Sequence, residues 1–505
     1  MASIFAIAIG AAREEARVYS GPALVPLAIE APDDPAALTS PANGTAACIT
    51  PPPVRVSTFV HCYTPADILA AYGVNTLHDA GNMGDGQTIV LVDAYGSPTA
   101  AADLQFFHDT FFPSLPDPDF EAVFPLSAPD YHNIAHGNGQ SGPIAAAGWA
   151  GEATLDIEWA YAIAPRAHIV LLAVPPAETE GVQGFPNLFK AMRWAVDHYP
   201  AGTIFSQSFG ITEQTFGGAS STQTAKFDRV YKAAAAKGDT MLASSGDFGS
   251  LGLAKQHRDT ATYPFATAGW PASSPYVTAV GGTQLQYGWT WNPTSDVAFN
   301  ADGSFNASYW ASTSGGNSEV VWNESWLPAA TGGGPGAIYA RPSWQDAQSS
   351  IIGRDARGVP DLSWNAAVNG GVLVYTSFFP NVNRVGWHIY GGTSASSPQV
   401  AGLIALANEQ QALADQPPLG LLNPLLYEVG SGAAFRDIVP VTQGTAASGV
   451  LDNNRQWQLV PDGSPVVPEE VTGSPVLTGW DMTTGFGSPR AAAFVSALRA
   501  ARNSP

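Results

Sequence analysis

Basic side chains are scarce in this chain. Lysine and arginine together number 21 in 505 residues, against 42 aspartates and glutamates, for a formal charge of −21. That balance argues against nucleic acid or an anionic membrane as a partner. Charged residues of both signs make up only 12%, roughly half the usual share in soluble proteins. Carboxylates in such excess suit a protein that works in acid, where they are largely neutral. Composition alone reads equally well as ordinary solubility through net negative charge. Cysteine is almost absent, with only Cys48 and Cys62 present. No Cys-x-x-Cys or Cys/His cluster argues for zinc, which leaves a disulfide in an exported protein or two unrelated thiols. Long apolar runs are missing as well. Residues 3–12, SIFAIAIGAA, resemble a weak signal-peptide core, but no basic residue precedes them and they are too short to cross a bilayer.

What the chain does have is 52 glycines, 41 prolines and 45% hydrophobic residues. This is the composition of a loop-rich globular protein with a sizeable core, not of a helical bundle. Residues 1–60 are rich in Pro and Ala without sustained periodicity and read as a leader or linker. Organised sequence begins at His61, where Thr64 caps a helix that has Pro65 at its first position. Apolar strands such as QTIVLVDAYG (87–96), HIVLLAV (168–174), TIFSQSFG (203–210) and TMLASSGDFG (240–249) then alternate with amphipathic helices. The expectation is an α/β fold, a mostly parallel central sheet with helices on both faces. Residues 284–336, rich in Trp, Tyr, Asn, Ser and Gly, read as a loop-rich insertion, and residues 61–505 as one domain. Ligands in such folds bind beyond the carboxyl ends of the strands. Asp93, Ser206, Asp247 and Ser394 all fall at such ends.

The stretch GGTSASSPQVAGLIALANE, from Gly391 to Glu409, organises the rest. Two glycines permit a sharp turn, and Val400, Leu403, Ile404 and Ala407 recur at the spacing of a buried helix. Ser394 therefore opens a helix, where unpaired N–H groups and the helix dipole favour a developing negative charge. The same turn is equally a plain helix cap.

A nucleophilic hydroxyl needs a base. His132 and His136 are the nearest histidine candidates, but HGNGQSGP from His136 onward cannot continue as a helix. Residues 148–165 offer another answer, because Glu152 and Asp156 lie four apart on one face of an otherwise apolar helix. Like charges at that spacing repel, and burial raises a carboxyl pKa further. Such a pair is either a proton-sharing device or an incidental acidic pair.

Taken in order, Glu-x-x-x-Asp on a helix, Ser-Gly-Asp-x-Gly and Gly-Thr-Ser-Ala-Ser-x-Pro resemble the motif set of the sedolisin family, the serine-carboxyl peptidases of the subtilisin-like superfamily. The resemblance implies a subtilisin-like fold. It makes Glu152 the general base, Asp156 its orienting carboxylate, Ser394 the nucleophile and Asp247 the oxyanion-stabilising acid. It implies substrate contacts along Ser206, Ser208 and Gly210, although Phe209 replaces a frequent Trp. It also implies one Ca²⁺ site built from Asp437 and Asp481 with the carbonyls of Ile438, Leu477 and Gly479. Leu477 stands where the family usually has Gly, and Asp93 where many members have Glu. A secreted, monomeric endopeptidase acting on protein and peptide substrates in acid is the expectation. Residues 1–60 are too few for the family's large N-terminal prodomain. The rival expectations are a histidine-based subtilisin-type protease and an inactive scaffold used for binding.

Overall fold

The computed structural model describes residues 27–30, 61–131, 143–175, 184–217, 222–252, 263–295, 306–324, 329–378, 385–441, 455–458 and 467–504. Its main sheet has eight strands. Six of them are β3 (Thr88–Ala94), β4 (Phe120–Val123), β5 (His168–Val174), β6 (Ile204–Gln207), β7 (Thr240–Ser244) and β8 (Thr278–Trp291). These run in the order β4-β5-β3-β6-β7-β8, and every pairing along that path is parallel. The interiors of β3 and β5 are fully buried, as the unbroken apolar runs of their sequences require of strands covered on both faces.

The ladder does not stop where the sequence changes texture. β8 continues past Gln284 to Trp291 and folds back antiparallel onto β9 (Ser312–Val321), so the 284–336 segment is built on a long hairpin continuous with the main sheet. Alternate residues of β8 still pack inward, Leu285 and Trp289 among them, while β9 is exposed over its first seven residues. Polar residues on the outer strand disguise the pattern. The eighth strand, β10 (Leu362–Asn365), pairs parallel with β8.

A second, four-stranded sheet contains β1 (Leu27–Glu30), β2 (Cys62–Tyr63), β11 (Gly371–Thr376) and β12 (Gly386–Gly391), ordered β1-β12-β11-β2. β1 lies antiparallel on β12, Leu27 opposite Gly391 and Glu30 opposite His388, so part of the segment read as leader is strand. Cys62 is disulfide-bonded; the other cysteine of the chain, Cys48, lies outside the described residues.

The helices follow their local chemistry. In α1 (Pro65–Tyr72) Thr64 and Asp67 form a reciprocal capping box, and Gly73 ends the helix in the left-handed region. α2 (Ala100–Phe111), α3 (Pro143–Ile163), α4 (Phe185–His198) and α5 (Thr222–Lys237) connect the strands. α3 begins five residues before the expected start at 148. From Trp149 to Ile163 it is buried on every side, wedged between sheet and helices. α6 (Thr393–Leu413) is likewise buried around its circumference. The two cross closely at Gly402, where any Cβ would press into Ile163. The core is therefore organised on two central helices, and these carry Glu152, Asp156 and Ser394.

Candidate active site

Asp93 is the next-to-last residue of β3, β6 runs into Ser208, β7 runs into Asp247, and Ser394 is the second residue of α6. These ends converge on Glu152 of α3. The Glu152 carboxyl feels the charges of Asp156, Asp93 and Asp247, and the neighbouring Ser394 hydroxyl favours its ionised form. No closed hydrogen bond yet joins Glu152 to Ser394, and both Glu152 oxygens and Ser394 Oγ are buried. An apo arrangement in which such a contact tightens only with substrate is common.

Glu152, Asp156 and Asp93 are each 0% exposed. Burial, with repulsion from Asp156 next, lifts the Glu152 pKa well above its ordinary value. Burial and the Asp93 charge do the same for Asp156, and burial pushes Asp93 to about 8. Three carboxyls this close, without a basic partner, cannot all ionise; protons must be shared among them. Ser208 Oγ donates to Asp156 Oδ1 at 2.9 Å, while Asp156 Oδ2 and both Asp93 oxygens have no hydrogen-bond partner.

Asp247 is held by the nucleophile's own turn. Its Oδ1 accepts from Thr393 N at 2.8 Å and from Thr393 Oγ1 at 2.7 Å, and Thr393 Oγ1 in turn accepts from Gly246 N at 3.1 Å. Oδ2 has no partner. Burial pushes the Asp247 pKa to about 6, against the two bonds from Thr393. Gly392 makes this approach possible: its φ of 96° belongs to the region that favours glycine. Protonated, Asp247 Oδ2 is a hydrogen-bond donor beside the first turn of α6.

The remaining predicted residues divide between two places. Ser206 is fully buried, and its Oγ lies 2.8 Å from Ser397 Oγ, tying β6 to α6. Gly210 passes so close to Trp270 that a Cβ would sit 3.2 Å from its carbonyl oxygen. Far along the chain, Asp437 accepts from Gly479 N at 3.1 and 3.0 Å. Asp481 accepts from Leu477 N at 2.9 Å and from Thr483 N and Thr484 N at 2.9 and 2.7 Å. These bonds join the 437–438 and 477–484 loops. Asp481 is 0% exposed, and burial pushes its pKa to about 6. A buried carboxylate without a basic partner beside a second acid, on loops with oxygen donors only, fits a hard divalent cation. Among the described residues no cluster of three or more His, Cys, Asp or Glu could hold a metal, so carbonyls would have to complete the ligand set.

Two contacts carried no distinct signal in the sequence. Thr393 aligns Asp247, yet it is hidden inside the nucleophile motif. Gly151, one residue before Glu152, packs against the ring of Tyr390, four residues before Ser394: a Cβ there would collide with the hydroxyl and lie 3.3 Å from Cζ. No described histidine hydrogen-bonds Ser394. His61 pairs with Ser312, His78 with the Ile163 carbonyl, His108 with Tyr161 and His168 with Asp119 and Glu121. His132 and His136 lie outside the described residues.

Comparison with known proteins bears on the family and the fold. The subtilase family model matches residues 119–417. Kumamolisin of Bacillus sp. (strain MN-32) is 29% identical over 442 residues, covering 86% of this chain and 63% of the relative. Human tripeptidyl-peptidase 1 is 28% identical over 415 residues, covering 78% of this chain and 58% of the relative. The chain thus spans about three fifths of the length of these curated relatives. A Pseudomonas sedolisin, a serine-carboxyl proteinase solved with two molecules of pseudo-iodotyrostatin, superposes with a TM-score of 0.59 at 24% identity. The match covers 87% of this chain and 99% of that one, a likeness of fold. The family model covers more than half of the chain, and the chain belongs to the subtilase family.

Proposed function

We propose that the protein is a serine-carboxyl endopeptidase that hydrolyses peptide bonds in acid. The observation that carries this reading is the three-acid cluster on Glu152, set against a Ser394 that no described histidine contacts. In this scheme Ser394 Oγ attacks the peptide carbonyl carbon while its proton passes to Glu152. Asp156, protonated, holds Glu152 in place, and Asp93 limits the cluster's total charge. The carbonyl oxygen becomes an oxyanion, to which the Oδ2–H of protonated Asp247 donates. Collapse breaks the C–N bond, the leaving amine takes the proton from Glu152, and an acyl-serine remains. Water then attacks the ester, giving its proton to Glu152, and release of the acid returns that proton to Ser394.

The printed names of the relatives support the peptidase class, kumamolisin and tripeptidyl-peptidase 1 being similar over most of this chain. We assign Ser206, Ser208 and Gly210 to the substrate-lining segment. We assign Ca²⁺ to Asp437 and Asp481 with the carbonyls of Ile438, Leu477 and Gly479. When bound it would neutralise the two acids and tie their loops together. We place the protein outside the cell, in acid, as a monomer; among the described residues no helix is long and apolar enough to cross a membrane. The test is cleavage of an unfolded protein in acid, from about pH 4 upward through the raised pKa of Glu152. Ser394→Ala and Glu152→Ala must each abolish it; if neither changes cleavage, the reading fails.

A further inference from the structure

Between the acid site and the Asp437/Asp481 loops runs the segment Thr331-Gly332-Gly333-Gly334-Pro335-Gly336-Ala337-Ile338, to which the preceding argument gives no part. At its N-terminal end it lies against the Asp247 turn. Ala330 N donates to Asp247 O at 2.9 Å, Gly332 N to Gly246 O at 2.7 Å, and Ser245 Oγ to Gly332 O at 2.7 Å. On the far side it touches the 481–484 loop. Thr331 Oγ1 donates to Thr483 O at 3.3 Å and accepts from Gly282 N at 2.8 Å. The other end is bolted down by Glu213, a buried acid whose Oε2 accepts from Ala337 N and Ile338 N.

The run of glycines follows from this double contact. A Cβ on Gly332 would enter the Ser245 carbonyl, and one on Gly333 the Met482 carbonyl. A Cβ on Gly334, whose φ is 144°, would lie 3.2 Å from Thr267 O. Three consecutive residues are thus packed backbone to backbone against three different segments. Packing this tight moves as a unit, so a displacement of either neighbour is felt by the other.

We propose that Thr331–Gly334 is a positioning strap: it fixes the Asp247 turn relative to Ser394 and couples that turn to the Asp481 loop. The proposal rests on the peptidase reading of the site. The strap never touches the reacting atoms; it acts by holding the backbone of the Asp247 turn, and through it the carboxyl, in place.

The experiment compares wild type with Thr331→Val, Thr331→Ser and Gly333→Ala, measuring kcat, KM and the pH profile of kcat on one peptide. Gly353→Ala, at an exposed helix end with open space around it, is the control for a glycine-to-alanine change away from the site. Thr331→Val, which keeps the shape and loses the hydroxyl, is expected to lower kcat about tenfold with KM within about twofold, the pattern of a lost transition-state contact. Its alkaline limb is expected to move, because the seating of Asp247 against Thr393 sets how readily that carboxyl ionises. Thr331→Ser, which retains the hydroxyl, is expected to restore both. Gly333→Ala is expected to show the same kcat loss and shift; if it does not fold, the Thr331 pair decides. Variants with the wild-type limb and kcat overturn the strap, as does a Thr331→Ser no better than Thr331→Val. A wild type without Ser394-dependent cleavage removes the peptidase reading and the strap with it, whereas active wild type with unaltered variants removes the strap alone.

Discussion

Gly392 and Asp247 are in contact across the active-site turn: a Cβ on Gly392 would lie 2.8 Å from Asp247 Oδ2. The oxygen of that carboxyl without a partner lies against Gly392, while the other is held by Thr393. This makes the protonation state of a single atom decisive.

Asp247→Asn tests that directly. The amide oxygen can keep both bonds from Thr393, and the amide nitrogen then donates from the position of Oδ2. With the wild-type carboxyl pKa at about 6, activity is expected to decline above that pH as the donor is lost. The Asn variant should stay active to higher pH. Asp247→Ala should instead lose two to three decades in kcat below that pH, about 3–4 kcal/mol of transition-state stabilisation. Identical alkaline limbs for wild type and the Asn variant would rule out this role.

Glu152→Gln and Ser394→Ala should each remove nearly all turnover, and the double variant should be little worse than either single one. Groups that act as a unit lose their effect together. Single-turnover rates on one peptide at acid pH measure this; additive losses would show that the two residues do not share a step.

Stability should fall as pH rises. For Asp93, Glu152, Asp156 and Asp247 the folded-state pKa lies above the unfolded value near 4, so their contribution is complete below about pH 4 and is lost as pH rises through the folded pKa. For Asp247 that window runs from 3.8 to about 6, and for Asp93 from 3.8 to about 8. The Asp247 shift alone corresponds to roughly 3 kcal/mol. Calorimetry should find the highest melting temperature near pH 3–4 and a steady decline toward pH 8; a rising curve would contradict the buried acids.

Chelation of Ca²⁺ should lower the melting temperature near neutral pH, because a cation bound at 100 times its dissociation constant contributes about 2.7 kcal/mol. Asp481→Ala should show the lowered value with or without chelator. An unchanged melting temperature on chelation would remove the metal from these loops.

Gly151→Ala should destabilise by about 1–3 kcal/mol through overpacking against Tyr390. Tyr390→Phe removes the atom that a Cβ would strike and should recover part of the loss. A denaturant double-mutant cycle reads the coupling; strict additivity would mean that α3 and β12 adjust independently.

Much of this was legible before any coordinates. The parallel sheet followed from unbroken apolar strands, and α1 from its Thr64 cap and Pro65. Glu152 and Asp156 stood out because a carboxyl pair amid Trp149, Ala153 and Ile157 has no solvent to face. Other features were not legible, because they arise between segments far apart in sequence. β8 runs through the apparent boundary at 284 because its outer partner β9 is polar, which hid the alternation. Thr393 reads as a helix-cap residue until Asp247, 146 positions away, is placed against it. The glycines at 332–334 read as a loop until three separate carbonyls are found beside them.

The siting of acids in the interior has a consequence for the protein's working life. A molecule carried from an acidic medium into a neutral one would acquire negative charge in its own centre, silencing the cleft and loosening the surrounding frame together. Its range of action would then be bounded by the medium itself, and no separate inhibitor would be needed to protect neutral surroundings from it.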